Sequence, residues 1–334
     1  MGKELRHGGN TDAAERAFGT PAKGWLDLST GINPVAYPVS AIPTDIWQRL
    51  PIKRDETRLI DAARSYYRIP DSAGLIFAPG TQAIIQWLPV SPAPCRVQVL
   101  GPTYEEHVAR WHACGHRVEI IEDLSIADAD VVIVVNPNNP DGRTIPPDTL
   151  LDLADHQAER NGMLIVDEAF ADVHPGISVA AACGRPGLLV LRSFGKFFGL
   201  AGIRLGFAAG TPEDTGLLRD ALGNWSVAGP ALSIGARALC DTDWHAETLA
   251  RLNRDSQRLD QILIRTGLEI VGGTALYRLA RTEDAPLIYE TLGRAGIMVR
   301  KFDNESSWLR FGLPGDDDGW SRLEATLKQD ISSP

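Results

Sequence analysis

At 334 residues, 44% hydrophobic and 23% charged, the chain has the ordinary balance of a globular protein and enough length for two domains. A formal net charge of −10 excludes a nucleic-acid partner, because no basic excess exists to displace counterions, yet it leaves room for a local arginine cluster that holds an anion. No apolar run approaches a membrane span, residues 1–7 lack the apolar core of a signal peptide, and Cys95, Cys114, Cys183 and Cys240 form no C-x-x-C pair; a cytoplasmic protein with reduced thiols, no membrane partner and no metal is expected.

In chain order, short apolar runs at 75–78, 97–100, 118–121, 131–135, 164–167, 188–191 and 205–209 read as buried strands. Helix-like stretches such as 105–114 and 147–161 lie between them. That alternation predicts an α/β fold, a mostly parallel seven-stranded sheet with helices on both faces. From about residue 225 the pattern changes to a long polar helix at 244–266, shorter segments at 267–279 and 297–311, and a final helix from Trp320. The expected organisation is an N-terminal arm (1–40) joining a small C-terminal α+β domain (226–334), with a large domain at 41–225. Asp316-Asp317-Asp318 reads as a solvated loop and helix start.

Ligand sites in such sheets gather beyond the carboxyl ends of strands, and the chemically suggestive residues fall there. Ala78-Pro79-Gly80-Thr81-Gln82 leads from a strand into a helix, where backbone amides and Thr81 suit a phosphate, although such a turn alone is weak evidence. Tyr104 follows the next strand and is either structural or stacked on a flat heterocycle. His107, His112 and His116 read as surface histidines rather than a metal site. Asn136-Pro137-Asn138-Asn139-Pro140-Asp141-Gly142 is a rigid turn able to present an asparagine amide. Asp167 ends its strand and either pairs with a buried cation or caps the next turn.

Lys196 is the most informative residue, in Arg192-Ser193-Phe194-Gly195-Lys196-Phe197-Phe198-Gly199-Leu200-Ala201-Gly202-Ile203-Arg204-Leu205-Gly206. An amine among aromatic and small residues, with a hydroxyl and a guanidinium nearby to hold phosphate, suits Schiff-base chemistry with pyridoxal 5′-phosphate (PLP). Late in the chain, Arg300 and Arg310 flank Trp308 and are either scaffold ion pairs or anion forks.

The S-x-x-K-x-x-G-x-x-G-x-R-x-G run, the N-P-x-G turn and the D-x-A-F segment stand in the order and spacing of one family. Over nearly its whole length the chain resembles the fold-type I PLP-dependent enzymes of the aspartate-aminotransferase superfamily. The resemblance implies that Lys196 carries the Schiff base and Asp167 pairs with the pyridine nitrogen. It also implies that Asn139 bonds the phenolic oxygen, Tyr104 stacks on the ring, and Gly80, Thr81, Ser193 and Arg204 hold the cofactor phosphate. Arg310 matches the family's carboxylate-binding arginine, and a homodimer is implied. Two departures stand out: Phe170 occupies the place of a tyrosine that reaches the phenolic oxygen, and Leu50-Pro51 stands near a Tyr-Pro that reaches a neighbouring subunit.

His7-Gly8-Gly9-Asn10 and Leu26-Asp27-Leu28-Ser29-Thr30-Gly31-Ile32-Asn33-Pro34 resemble the opening of the L-threonine-O-3-phosphate decarboxylases of cobalamin biosynthesis. The implied reaction converts a phosphorylated amino acid, L-threonine O-3-phosphate, to (R)-1-aminopropan-2-yl phosphate. His7, Asn33 and Arg300 are the candidates for the substrate phosphate and Arg310 for its carboxylate. A histidinol-phosphate-type aminotransferase and a non-catalytic PLP-binding module are the competing readings.

Overall fold

A computed structural model describes residues 8–90 and 93–331. It divides into two compact units, a larger one of Tyr37–Asn139 and Arg143–His245, and a smaller one comprising the chain up to Ala36, Pro140–Gly142, and everything from Ala246 on.

The smaller unit opens with α1 (Thr11–Phe18), where the Asn10 side chain accepts the Ala13 N–H at 2.9 Å, and with the short strand β1 (Leu26–Asp27). The larger unit begins with α2 (Thr44–Gln48) and α3 (Lys53–Tyr67). Strands and helices then alternate: β2 (Gly74–Ala78), α4 (Thr81–Trp87), β3 (Arg96–Leu100), α5 (Glu105–Ala113) and β4 (Arg117–Ile121). Next come β5 (Val131–Val135), α6 (Pro147–Glu159), β6 (Met163–Asp167), β7 (Leu188–Ser193), α7 (Phe194–Phe197) and β8 (Gly206–Gly210). The helices α8 (Pro212–Leu222) and α9 (Gly229–Cys240) follow.

The seven strands form one sheet in the order β2-β8-β7-β6-β5-β3-β4. It is mostly parallel, as the alternation predicts; β8 alone runs antiparallel to its neighbours β2 and β7. The central strands β5, β6 and β7 are buried along nearly their whole length, which is why they read as unbroken apolar runs. On one face, Ile165, Leu189, Leu191 and Ile133 pack with Ile84 and Ile85 of α4, Trp111 of α5 and Leu218 of α8. On the other, Tyr67 of α3 meets Phe207 at 5.6 Å between ring centroids. A Cβ at Gly235 of α9 would lie 2.9 Å from Leu59 of α3, so these two helices pack closely within the larger unit.

The division falls inside α10 (Thr242–Arg265), beyond the change of pattern near residue 225. The smaller unit continues with β9 (Glu269–Thr274), β10 (Tyr277–Arg281), α11 (Ala285–Arg294), β11 (Ile297–Met298), β12 (Arg300–Lys301), β13 (Trp308–Gly312) and α12 (Asp317–Ile331). Its antiparallel sheet has the order β12-β13-β10-β9, while β1 pairs in parallel with β11. The acidic run starts α12: Asp316 Oδ1 accepts the Gly319 N–H at 2.7 Å.

Candidate active site

Strand pairing brings together residues that are far apart in sequence. Ser193 at the end of β7 and Ala78 at the end of β2 both stand opposite Gly206 of β8, and Asp167 stands opposite Val135 and Leu191. Gly80, Thr81, Tyr104, Asn139, Asp167, Ser193, Lys196 and Arg204 therefore all lie at one set of strand ends within the larger unit.

Asp167 is 3% exposed. Its Oδ1 accepts the Ala169 N–H at 3.1 Å, and its Oδ2 lies 2.9 Å from His107 Nε2. The local-cap reading of this acid is thus seen in the Ala169 contact, and its buried neighbour within the chain is His107. His107 corrects the expectation of a surface histidine: it sits on the inward face of α5 and is fully buried. His116 is buried as well, with Nε2 at 2.6 Å from the Pro89 carbonyl oxygen and Nδ1 accepting the Cys95 N–H at 3.2 Å. Three histidines close in sequence leave a helix and a turn in different directions, which spacing alone does not reveal.

Gly80 has φ +82°, and a Cβ there would lie 2.7 Å from Arg204 Nη2. A Cβ at Gly206 would lie 2.5 Å from the Thr81 nitrogen. The two glycines thus clear space around the Thr81 amide and the Arg204 guanidinium. Arg204 donates to the Ala201 carbonyl oxygen, and no carboxylate meets it among the described residues. A cradle of amide, hydroxyls (Thr81, Ser193) and guanidinium, which side chains at 80 and 206 would fill, fits the phosphate of PLP.

Around the cradle the aromatic and amide groups are braced. Tyr104 donates its hydroxyl to Gln82 Oε1 at 3.1 Å, and Gln82 Nε2 donates to Glu106 Oε2 at 2.8 Å. Because an ionised carboxylate only accepts, Glu106 fixes which end of the Gln82 amide faces Tyr104. Asn136 closes the turn by accepting the Ile145 N–H at 2.9 Å and donating to its carbonyl at 3.1 Å. Asn138 accepts from Thr103 Oγ1 at 2.6 Å and donates to the Pro102 carbonyl at 2.9 Å. Asn139 is the next residue, directly after this braced segment. Lys196 is partly buried, its Nζ 5.5 Å from the centroid of the Phe170 ring.

The described candidates for substrate anions belong to the smaller unit. Arg310 is 5% exposed, donates to the Ser29 carbonyl at 2.7 Å, and lies over the Tyr277 ring at 4.9 Å. Burial, with Arg300 acting the same way, pulls its guanidinium down to about 10. Arg300 stands directly opposite it across β12 and β13, against Phe302. Asn33 is 2% exposed, and its Oδ1 accepts from Val35 N–H at 3.1 Å and Arg251 at 2.7 Å. His7 lies outside the described residues.

Comparison with known proteins follows the same lines. Residues 56–322 match the family model of the class I and II aminotransferases. A threonine-phosphate decarboxylase from Pseudomonas aeruginosa is 43% identical over 327 residues, covering 97% of this chain and 97% of that protein. A threonine-phosphate decarboxylase from a Sinorhizobium species is 44% identical over 332 residues, covering 98% of each. In structure, the histidinol-phosphate aminotransferase of Sinorhizobium meliloti, solved in complex with pyridoxal-5′-phosphate, superposes with a TM-score of 0.82 at 19% identity, over 98% of this chain and 95% of that one.

Proposed function

The chain belongs to the class I and II aminotransferase family, and on that premise we propose that it decarboxylates L-threonine O-3-phosphate to (R)-1-aminopropan-2-yl phosphate, a step of cobalamin biosynthesis, using PLP. The observation that carries the reaction is the identity of 43% and 44%, over nearly the full length, to two proteins named for that activity. The aminotransferase neighbour shares only 19% of its residues, and its likeness speaks for the fold.

PLP, when bound, supplies a ring that accepts the electron pair of a bond broken at the substrate Cα. We assign Lys196 Nζ two tasks, anchoring the cofactor and returning a proton to Cα after CO₂ leaves. Asp167, held by His107 and the Ala169 amide, keeps a carboxylate oxygen against the pyridine nitrogen. Asn139 donates to the phenolic oxygen, Tyr104 covers the ring face, and Gly80, Thr81, Ser193 and Arg204 hold the phosphate. Phe170 offers no hydroxyl, so it contributes packing beside Lys196 rather than a hydrogen bond. Arg310 takes the substrate carboxylate, and Arg300, Asn33 and His7 its phosphate. The grip of these residues on each substrate anion would orient the bonds at Cα, and that orientation would select the bond broken.

The proposal includes a homodimer in the cytoplasm. Trp47 and Leu50, 66% and 59% exposed near the start of the larger unit, support a second copy as partner, and sedimentation would measure it. Among the described residues no helix is long and apolar enough to cross a membrane.

The test is an assay with O-phospho-L-threonine and PLP. Release of CO₂ with formation of the aminopropyl phosphate is the expected result. Sustained keto-acid formation with 2-oxoglutarate as acceptor would establish an aminotransferase instead, and absence of turnover would favour a binding module. Visible absorption that survives dialysis in the wild type and vanishes in Lys196→Ala would tie the cofactor to that lysine.

A further inference from the structure

Behind the cofactor residues lies a second set of charges. Side chains alternate between the two faces of a strand. Ile165, Leu189 and Leu191 belong to the core covered by α4, α5 and α8. Two positions further on, Asp167 and Ser193 fall on that same face, and Asp167 meets His107 of α5 there. Their chain neighbours Glu168 and Arg192 fall on the other face.

On that face Arg192 Nη1 donates to Glu168 Oε2 at 2.5 Å and Arg192 Nη2 to Asp172 Oδ1 at 2.7 Å. Glu168 also accepts from Ser178 Oγ at 2.6 Å and from the Val179 N–H at 2.7 Å. The guanidinium lies 4.3 Å from the centroid of the Tyr67 ring. Arg192, Glu168 and Asp172 are 4%, 0% and 4% exposed. Two carboxylates thus share one cation in the interior. Such a triad adds little stability over apolar side chains of the same size, because desolvation cancels most of the attraction. What it supplies is geometry. A planar fork with five donors fixes the direction of both carboxylates, and through them the ends of β6 and β7.

We propose that Arg192 is a positioning residue of the cofactor site: with Glu168 and Asp172 it locks the two strand ends from behind, and so sets Asp167 against the ring nitrogen and Ser193 against the phosphate of PLP. The inference rests on the PLP reading above.

Arg192→Lys keeps the charge and loses the fork. The measurements are the dissociation constants of PLP and of pyridoxal, which lacks the phosphate, by absorbance titration, and the pH midpoint of the bound cofactor's visible spectrum. PLP affinity is expected to fall about tenfold, the scale of one charge-assisted hydrogen bond. The preference for PLP over pyridoxal should fall with it, because only PLP uses Ser193, and the spectral midpoint should shift, because Asp167 has moved. A buried leucine of the smaller unit gives the control, Leu263→Ala. If Arg192→Lys resembles that control, with the preference and midpoint of the wild type, the proposal is overturned. Should Arg192→Lys not fold by circular dichroism, Glu168→Gln, which still accepts from Arg192, is judged by the same readings. A wild-type chain that binds no PLP overturns the underlying reading before any variant is compared, and this inference falls with it.

Discussion

Arg192 of the larger unit and Arg310 of the smaller are both buried guanidiniums at strand positions, yet their surroundings are opposite. Burial weighs against the charge in both. At Arg192 the carboxylates of Asp172 and Glu168 outweigh it and push the group up. At Arg310 burial prevails, and Arg300 across the strand adds to it, so the group is pulled down despite Tyr277 and Asp27. A cation that already has two carboxylates is architecture. One whose charge is disfavoured by burial and by a second cation would be restored by an anion brought beside it, the quality a substrate anchor needs.

Methionine substitutions would break this comparison most directly. Arg192→Met strands two buried carboxylates and should cost about 3–5 kcal/mol of unfolding free energy, read from urea denaturation of the cofactor-free chain. Arg310→Met should cost clearly less, since the charge it removes is disfavoured by burial, while weakening O-phospho-L-threonine binding about a hundredfold. Equal stability losses in the two variants would erase the distinction. Gln82→Leu probes a brace: removing the Gln82 acceptor from the Tyr104 hydroxyl should weaken PLP about fivefold, the worth of one ordinary hydrogen bond, with no change in substrate specificity.

The smallest effect belongs to the part-buried ion pair between Arg49 and Asp55, 2.5 Å apart at the start of α3. The hydrogen bond from Arg49 holds the Asp55 carboxyl below its ordinary value, outweighing the opposing effect of burial. A carboxyl depressed in the folded state stabilises above its unfolded value, near pH 4, and loses that contribution as the pH falls through the folded one. Asp55→Asn should therefore cost about 0.5–1 kcal/mol at pH 7 and less at pH 2, read from thermal unfolding at the two pH values.

The sheet and the lysine were legible in the sequence for different reasons. Buried parallel strands need apolar side chains on both faces, so 131–135 and 164–167 stand out without any partner in view. Lys196 stands out because glycines and aromatics around an amine have no surface rationale. The bracing groups left no such mark. His107 looks like any histidine on a polar helix until α5 is docked and Asp167 lies beside it. Glu168 and Arg192 are 24 residues apart and meet only because β6 and β7 are neighbours. Pro140–Gly142 also gives no sign of belonging to the smaller unit, an allegiance set by contact alone: a Cβ at Gly142 would lie 2.1 Å from the Gly273 carbonyl oxygen.

The pairing of β2 with β8 carries a consequence for how the molecule is made. The strand that delivers Gly80 and Thr81 is the first of its sheet in chain order, and among the described residues its one neighbour is the last, which begins two residues after Arg204. The phosphate cradle therefore closes one of the longest loops in the larger unit. Contacts so distant in sequence form late, after the loop-closure entropy has been met by the strands between. If the proposed cofactor site is right, its phosphate cradle would be complete only once Gly206–Gly210 has left the ribosome, so cofactor capture would follow assembly of this sheet and not template it.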